Sequence, residues 1–305
     1  MKVLVAGGAG FIGSHLVKAL LQNGHQVRVL DICFKTPKKS DPNLEFILGG
    51  MEYREVVDRV MENIDVVYHL ALFGHDFSQR NYETFDVNIK GTLNLLESAR
   101  VHKVKHFLFS SSSVVYGRPR YLPIEEEHPC NPEEVLAGPG MTYGIIKLTT
   151  EKLCMLYYHQ LGLPVTVLRV AAVFSDDKVF GIDSLVEAAS KVESIEVLRK
   201  SGFESVHIEE VVEAFLLATL NENAYGQVFG VSNPNTFMLD YELTKFIIHL
   251  INSKSEIKLV SDDKLIRSMP DSIEKIQRLL GWKPRMQKED FKEAIKRYLK
   301  KRGII

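Results

Sequence analysis

The sequence is poor in the features that mark several protein classes. Its 305 residues contain three cysteines, Cys33, Cys130 and Cys154, and no two form a C-x-x-C pair. That fits neither a disulfide framework nor a zinc site, and it suits a reducing compartment. Net charge is almost nil, formally −1. Nothing electrostatic therefore argues for nucleic acid or an anionic membrane surface as a partner. The local basic runs at 35–39 and 296–302 read as a solvated loop and a solvated helix face. No apolar run is long enough to span a bilayer. An apolar run begins at Val3, which leaves no room for a signal peptide. There is no internal repeat, low-complexity tract or evident flexible linker. These absences leave a cytoplasmic globular protein, longer than one typical domain.

What is present is a regular alternation. Short apolar runs at 3–6, 26–30, 44–48, 65–72, 106–110 and 165–171 read as buried strands. Segments with helical spacing separate most of them, through Leu16, Val17, Leu20 and Leu21 and at 53–61, 85–102 and 142–161. Strands alternating with helices predict a doubly wound parallel sheet. After Val173 the pattern loosens into helices at 182–190, 208–220, 236–251, 272–280 and 288–301. The expected architecture is a Rossmann-type α/β fold. A first domain would cover 1–172, and a smaller C-terminal substrate-binding lobe would cover 173–305. Residues of about 203–232 would return to the first domain. The lobe would sit beside the C-terminal strand ends, where α/β folds bind ligands.

The first strand stops at Gly7, and glycines recur at Gly10 and Gly13 before the first helix. Strand, glycine turn and helix bring backbone N–H groups and the positive end of a helix dipole to a pyrophosphate. The spacing is G-x-x-G-x-x-G, so the motif alone is weak. Asp31 closes the second strand, at the distance where a carboxylate accepts hydrogen bonds from adenosine ribose hydroxyls. It would repel a 2′-phosphate, which favours NAD over NADP. Lys35 and Lys38, just beyond, are basic residues of the kind that can serve such a phosphate.

Tyr143 and Lys147 lie one helical turn apart on one face. Tyrosine, with an ordinary pKa of about 10, becomes a usable base only beside positive charge. Lys147 would supply such charge, as would an oxidised nicotinamide. Serines at the end of the fifth strand could hydrogen-bond the substrate oxygen while the tyrosine takes or returns its proton.

Together these segments resemble the extended short-chain dehydrogenase/reductase family, in its NAD-dependent epimerase/dehydratase branch. The resemblance rests on G-G-A-G-F-I-G at 7–13, Asp31, H-L-A at 69–71, N-I-K-G-T at 88–92 and S-S-S-S-V-V-Y-G at 110–117. It continues through Tyr143 and Lys147, Leu168 and Arg169, V-H-I-E-E-V at 206–211 and G-W-K-P at 281–284. It implies Tyr143 as acid/base, and Lys147 as the group that holds the nicotinamide ribose and lowers the tyrosine pKa. Ser112 would be the hydroxyl partner, with Ser111 as the neighbouring alternative. Gly7, Gly10, Phe11 and Ile12 would surround the pyrophosphate, and Asp31 the ribose. Leu70, Ala71 and Ser110 would complete the NAD site. Asn88 would be either a structural bridge or a functional group. The resemblance also implies a homodimer through the 85–102 and 142–161 helices, although their apolar stripes would serve core packing equally.

Departures from the family pattern narrow the chemistry. Dehydratases of the family carry an Asp-Glu pair where this chain has Ser113 and Val114. Ala172 replaces a usual Asn, and 203–205 read F-E-S where Arg-Asp-Phe is usual, so a phosphate-binding cation is missing. Arg199, Lys200 or Arg267 could substitute. Gly50 replaces an aspartate that meets adenine. The leading expectation is an NAD-dependent epimerase of a nucleotide sugar, working through a transient ketone. The alternatives are a net NAD(P)-dependent dehydrogenase or reductase of a sugar, sugar acid or other secondary alcohol, and a non-catalytic NAD-binding regulator.

Overall fold

Residues 1–33, 41–73, 81–134, 139–260 and 271–305 are described by a computed structural model. Lys35, Lys38 and Arg267 lie outside them. The apolar runs form strands β1 (Lys2–Ala6), β2 (Gln26–Asp31), β3 (Leu44–Leu48), β4 (Val66–His69), β5 (His106–Ser112) and β6 (Val165–Val170). Shorter strands follow: β7 (Ala172–Phe174), β8 (Ile195–Leu198), β9 (Gly202–Phe203), β10 (Ser205–His207), β11 (Gln227–Val231), β12 (Met238–Leu239) and β13 (Ile257–Val260). The helices are α1 (Phe11–Gln22), α2 (Arg54–Met61), α3 (Asn81–Phe85), α4 (Gly91–Val101) and α5 (Pro139–Leu161). They continue with α6 (Ile182–Ser190), α7 (Ile208–Ala218), α8 (Asp240–Leu250), α9 (Glu274–Leu280) and α10 (Lys288–Lys301).

Among the described residues, seven strands form one parallel sheet in the order β11-β6-β5-β4-β1-β2-β3. This is the expected Rossmann-type sheet. The chain winds outward from β1 to β3, then crosses back to β4 on the other side of β1. That reversal opens a crevice at the carboxyl ends of β1 and β4. Both faces are covered. Leu16 and Leu20 of α1 pack with Val211 and Phe215 of α7 on one face. Val57 of α2, Leu96 of α4 and Cys154 of α5 pack on the other. The C-terminal region has its own core, in which Val186, Ile247, Phe291 and Ile295 meet Phe174. β11 nevertheless joins the main sheet beside β6.

Three local departures from the sequence reading have physical causes. β5 runs through Ser112 rather than stopping at Ser110, because its pairing with β6 continues to Ser111 opposite Arg169 and Ser112 opposite Val170. The helix expected over 85–102 is interrupted by a π-helical turn, Asp86–Lys90. Asn88 lies in that turn, buried, and its amide bonds the N–H and C=O of Phe73 and the C=O of Thr84. Asn88 is therefore a bridge between the segment after β4 and the helix. The helix expected over 236–251 begins only at Asp240, because Asn233 caps a tight turn, Pro234–Thr236, ahead of β12.

The motifs at 206–211 and 281–284 meet around one buried carboxylate. Glu210 of α7 accepts from the N–H groups of Arg285, Met286 and His207 and from the Asn233 amide. The Trp282 indole donates to the Glu210 carbonyl at 2.9 Å. Removing that acceptor leaves several buried donors unpaired. Glu210→Ala should cost about 3 kcal/mol in urea unfolding. A change below about 0.5 kcal/mol would show that these donors are satisfied in other ways.

Candidate active site

The crevice is a cavity of about 900 Å³, lined from Gly7, Asp31 and Glu52 across to Ser112, Tyr143, Glu204 and Asp271. Its centre is made by close backbone approach. Gly7 has φ +84°, and a Cβ there would sit 2.5 Å from the Ala71 N. A Cβ at Gly13 would lie 2.1 Å from the Gly7 carbonyl oxygen. The glycines therefore let the start of α1 press onto the turn and the turn onto the end of β4. Gly10, Phe11, Ile12, Leu70 and Ala71 line the same cavity.

Asp31 stands at the end of β2. Its carboxylate accepts from the N–H of Ala9 at 2.9 Å and of Cys33 at 3.0 Å, which fixes its direction. Glu52 was missed by sequence reasoning. Its carboxylate folds over Gly50, where a Cβ would meet Glu52 Oε2 at 2.4 Å. A carboxylate thus stands beside position 50, carried by a residue two further on. Glu52 Oε2 is buried and has no hydrogen-bond partner among the described residues. Only the departure at Gly50 could have prompted a search for it.

Ser112, Tyr143 and Lys147 converge on this cavity. Strand alternation separates the two candidate serines. Ser111 points away from the cavity and donates to Glu151, which is also paired with Arg169 at 2.8 Å. Ser112 faces the cavity and is hydrogen-bonded to the Tyr143 phenol. Lys147 donates to the Ser110 carbonyl at 2.7 Å, with its Nζ 5.7 Å from the Tyr143 ring centroid. Burial lowers the Lys147 ammonium to about 8, while Glu151, one turn on, works to keep it charged. The Tyr143 phenol shifts the other way. Enclosure pushes it above its ordinary value, and the Ser112 hydrogen bond offsets only part of that rise. Lys147 alone does not make it a base at neutral pH.

Beyond β6 the cavity holds groups that the sequence did not single out. Lys178 lines it, with its Nζ 4.6 Å from the Phe180 centroid and 5.5 Å from that of Phe11. Arg199 and Lys200 do not line it. Glu204 and Asp271 do, although both are deeply buried. Burial pushes the Glu204 carboxyl up to about 7. Burial, then repulsion from Glu204 and Glu126, holds Asp271 well above the usual carboxylate range. No group of His, Cys, Asp or Glu among the described residues could hold a metal ion.

The family model for the NAD dependent epimerase/dehydratase family matches residues 3–262. The chain belongs to that family. It is an enzyme of the extended short-chain dehydrogenase/reductase type, and its cofactor is NAD. A Methanocaldococcus jannaschii protein, provisionally named UDP-glucose 4-epimerase, is 30% identical over 97% of this chain and 96% of its own. UDP-glucuronic acid decarboxylase 1 of Xenopus tropicalis is 31% identical over 93% of this chain and 68% of its own. Among solved structures, the UDP-glucose 4-epimerase of Thermotoga maritima with UDP-glucose has a TM-score of 0.80 at 26% identity, covering 99% of both chains. The cavity fits the family's cofactor: it has a closely approached glycine turn, an oriented Asp31 and an unpaired Glu52 oxygen at the same side. No helix among the described residues is long and apolar enough to cross a membrane.

Two measurements follow from this packing. Gly7→Ala must displace backbone rather than a side chain, and should lower stability by about 2 kcal/mol or more in urea unfolding. An unchanged midpoint would mean that the turn relaxes freely. A carboxyl raised from 4.5 to about 7, as in Glu204, binds its proton more tightly in the native state. Its stabilising contribution is full below about pH 4.5 and is lost as pH rises to about 7. Glu204→Gln should therefore shrink the stability difference between about pH 5 and about pH 8 by ~2 kcal/mol. An unaltered pH slope would place the titration elsewhere.

Proposed function

We propose that this enzyme is an NAD-dependent epimerase of a nucleotide sugar, inverting C4 through a transient ketone. The supporting observation is the grouping of Ser112, Tyr143 and Lys147 on one cavity, with Ser113 and Val114 beside them where a dehydratase needs an acid and a base. Neither can do that work at neutral pH. Two of the relatives named as epimerases span nearly the whole chain, which supports the same reading.

In this proposal Gly7, Gly10, Phe11, Ile12, Leu70, Ala71 and Ser110 hold NAD along the crevice, with Asp31 on the adenosine ribose and Glu52 beside the adenine. When bound, NAD accepts and returns the hydride and brings positive charge to the site. Tyr143 Oη takes the proton of the C4 hydroxyl and later gives it back. Ser112 Oγ holds the same substrate oxygen, so the proton moves along a fixed hydrogen bond. Lys147, anchored on the Ser110 carbonyl, fixes the cofactor ribose and favours the phenolate. Lys178 takes the part of the absent arginine toward phosphate. The C-terminal lobe closes the substrate side, and α4 and α5, which leave Leu93, Val101, Leu156 and Leu161 exposed, form the homodimer face. The segment 203–205, without the usual arginine, also suits a second reading: net oxidation or reduction of a secondary alcohol.

Tyr143→Phe keeps the ring and removes the proton carrier. It should lower turnover of UDP-glucose to UDP-galactose by about 10²-fold or more, with NAD binding nearly unchanged. Residual activity near that of the unchanged enzyme would exclude Tyr143 as the acid/base. The epimerase should release no stoichiometric NADH, and its appearance would establish the second reading.

A further inference from the structure

We propose that Glu204 and Asp271 form a paired-carboxyl subsite that receives a hydroxyl of a neutral sugar and turns away a sugar carrying its own carboxylate. This rests on the nucleotide-sugar reading above and adds the class of sugar.

The two side chains come from distant segments to one wall of the cavity. Glu204 Oε1 accepts from the Ser232 hydroxyl and from the Asp271 N–H at 2.9 Å. Glu204 Oε2 has no partner among the described residues, although Glu204 is only 3% exposed. An acceptor this buried, on a residue that lines the cavity, is costly unless a donor completes it. The subsite lies on the chemical side of the crevice. Ser205, next to Glu204, pairs with Ala172, just beyond β6. β6 neighbours β5, whose end carries Ser112, while Asp31 ends β2, four strands away.

The surroundings keep this wall from welcoming an anion. Glu126, whose Oε1 accepts from the Gly230 N–H at 2.8 Å, adds a third carboxyl that repels Asp271. Arg169 of β6 is engaged by Glu151 at 2.8 Å and by the Glu126 carbonyl at 2.9 Å. Its guanidinium also lies 4.7 Å from the Tyr116 ring centroid, and its charge pulls the Asp271 carboxyl down by less than burial and the two neighbouring carboxyls push it up. Near pH 7 the pair is partly protonated, so it can both accept from and donate to a hydroxyl while keeping some negative charge. A carboxylate placed there would meet like charge in a poorly solvated site.

The test is calorimetric binding of UDP-glucose and UDP-glucuronate to the NAD-loaded enzyme. At about pH 8, UDP-glucose should bind at least about tenfold more tightly. The gap should narrow at about pH 5.5 as the pair gains protons, and Glu204→Gln should bring it within about threefold. Asp271→Asn should act in the same direction, which guards against a misfolded single variant. Equal or tighter binding of UDP-glucuronate, a gap untouched by both substitutions, or no binding of either compound would overturn the proposal. Selective binding of UDP-glucose without epimerisation would instead sink the epimerase reading and leave the subsite intact.

Discussion

The backbone of Gly7 lies against that of Ala71 with no space for a side-chain carbon between them. This approach ties the ends of β1 and β4 together where the strand order reverses. It also sets the start of α1, because Gly13 rests on the Gly7 carbonyl. The positive end of that helix then faces the crevice, and an anion there needs no charged side chain. Asp31 and Ser112 lie to either side because strands are about 4.8 Å apart and the sheet fixes their order.

Burial does two opposing things in this cavity. It makes the Ser112–Tyr143 hydrogen bond and the Lys147 charge stronger agents than they would be in water. The same low dielectric raises the phenol and lowers the ammonium. Positive charge placed beside the phenol would oppose that rise. Glu151 and Arg169 stabilise this arrangement at one remove. They satisfy each other in the interior and occupy Ser111, which leaves Ser112 as the hydroxyl that faces the cavity.

The C-terminal region is not a separate bead on the chain. Glu210 binds the backbone at Arg285 and Met286, and Trp282 returns to the Glu210 carbonyl. The edge strand β11 belongs to the main sheet. The wall that carries Glu204 and Asp271 is tied by the Ser232 hydroxyl and the Asp271 N–H, both on Glu204.

The alternating apolar runs and the glycine spacing determined the parallel sheet and its crevice, because strand length, helix period and turn chemistry are local properties. Tyr143 and Lys147 were legible for the same reason: one helical turn puts them on one face. Asp31 was legible from its distance to the glycines. Other features were settled only by tertiary structure. Ser111 and Ser112 are indistinguishable in a serine run until the register with β6 assigns each a face. Glu52 reaches over Gly50 because of how the chain turns after β3, which no spacing rule encodes. Glu204 and Asp271 lie 67 residues apart and meet only through the packing of β10 against β7 and the return of the chain to the sheet. Their raised acidity belongs to neither residue's neighbourhood in sequence. It comes from shared burial, which exists only once the wall has closed around both.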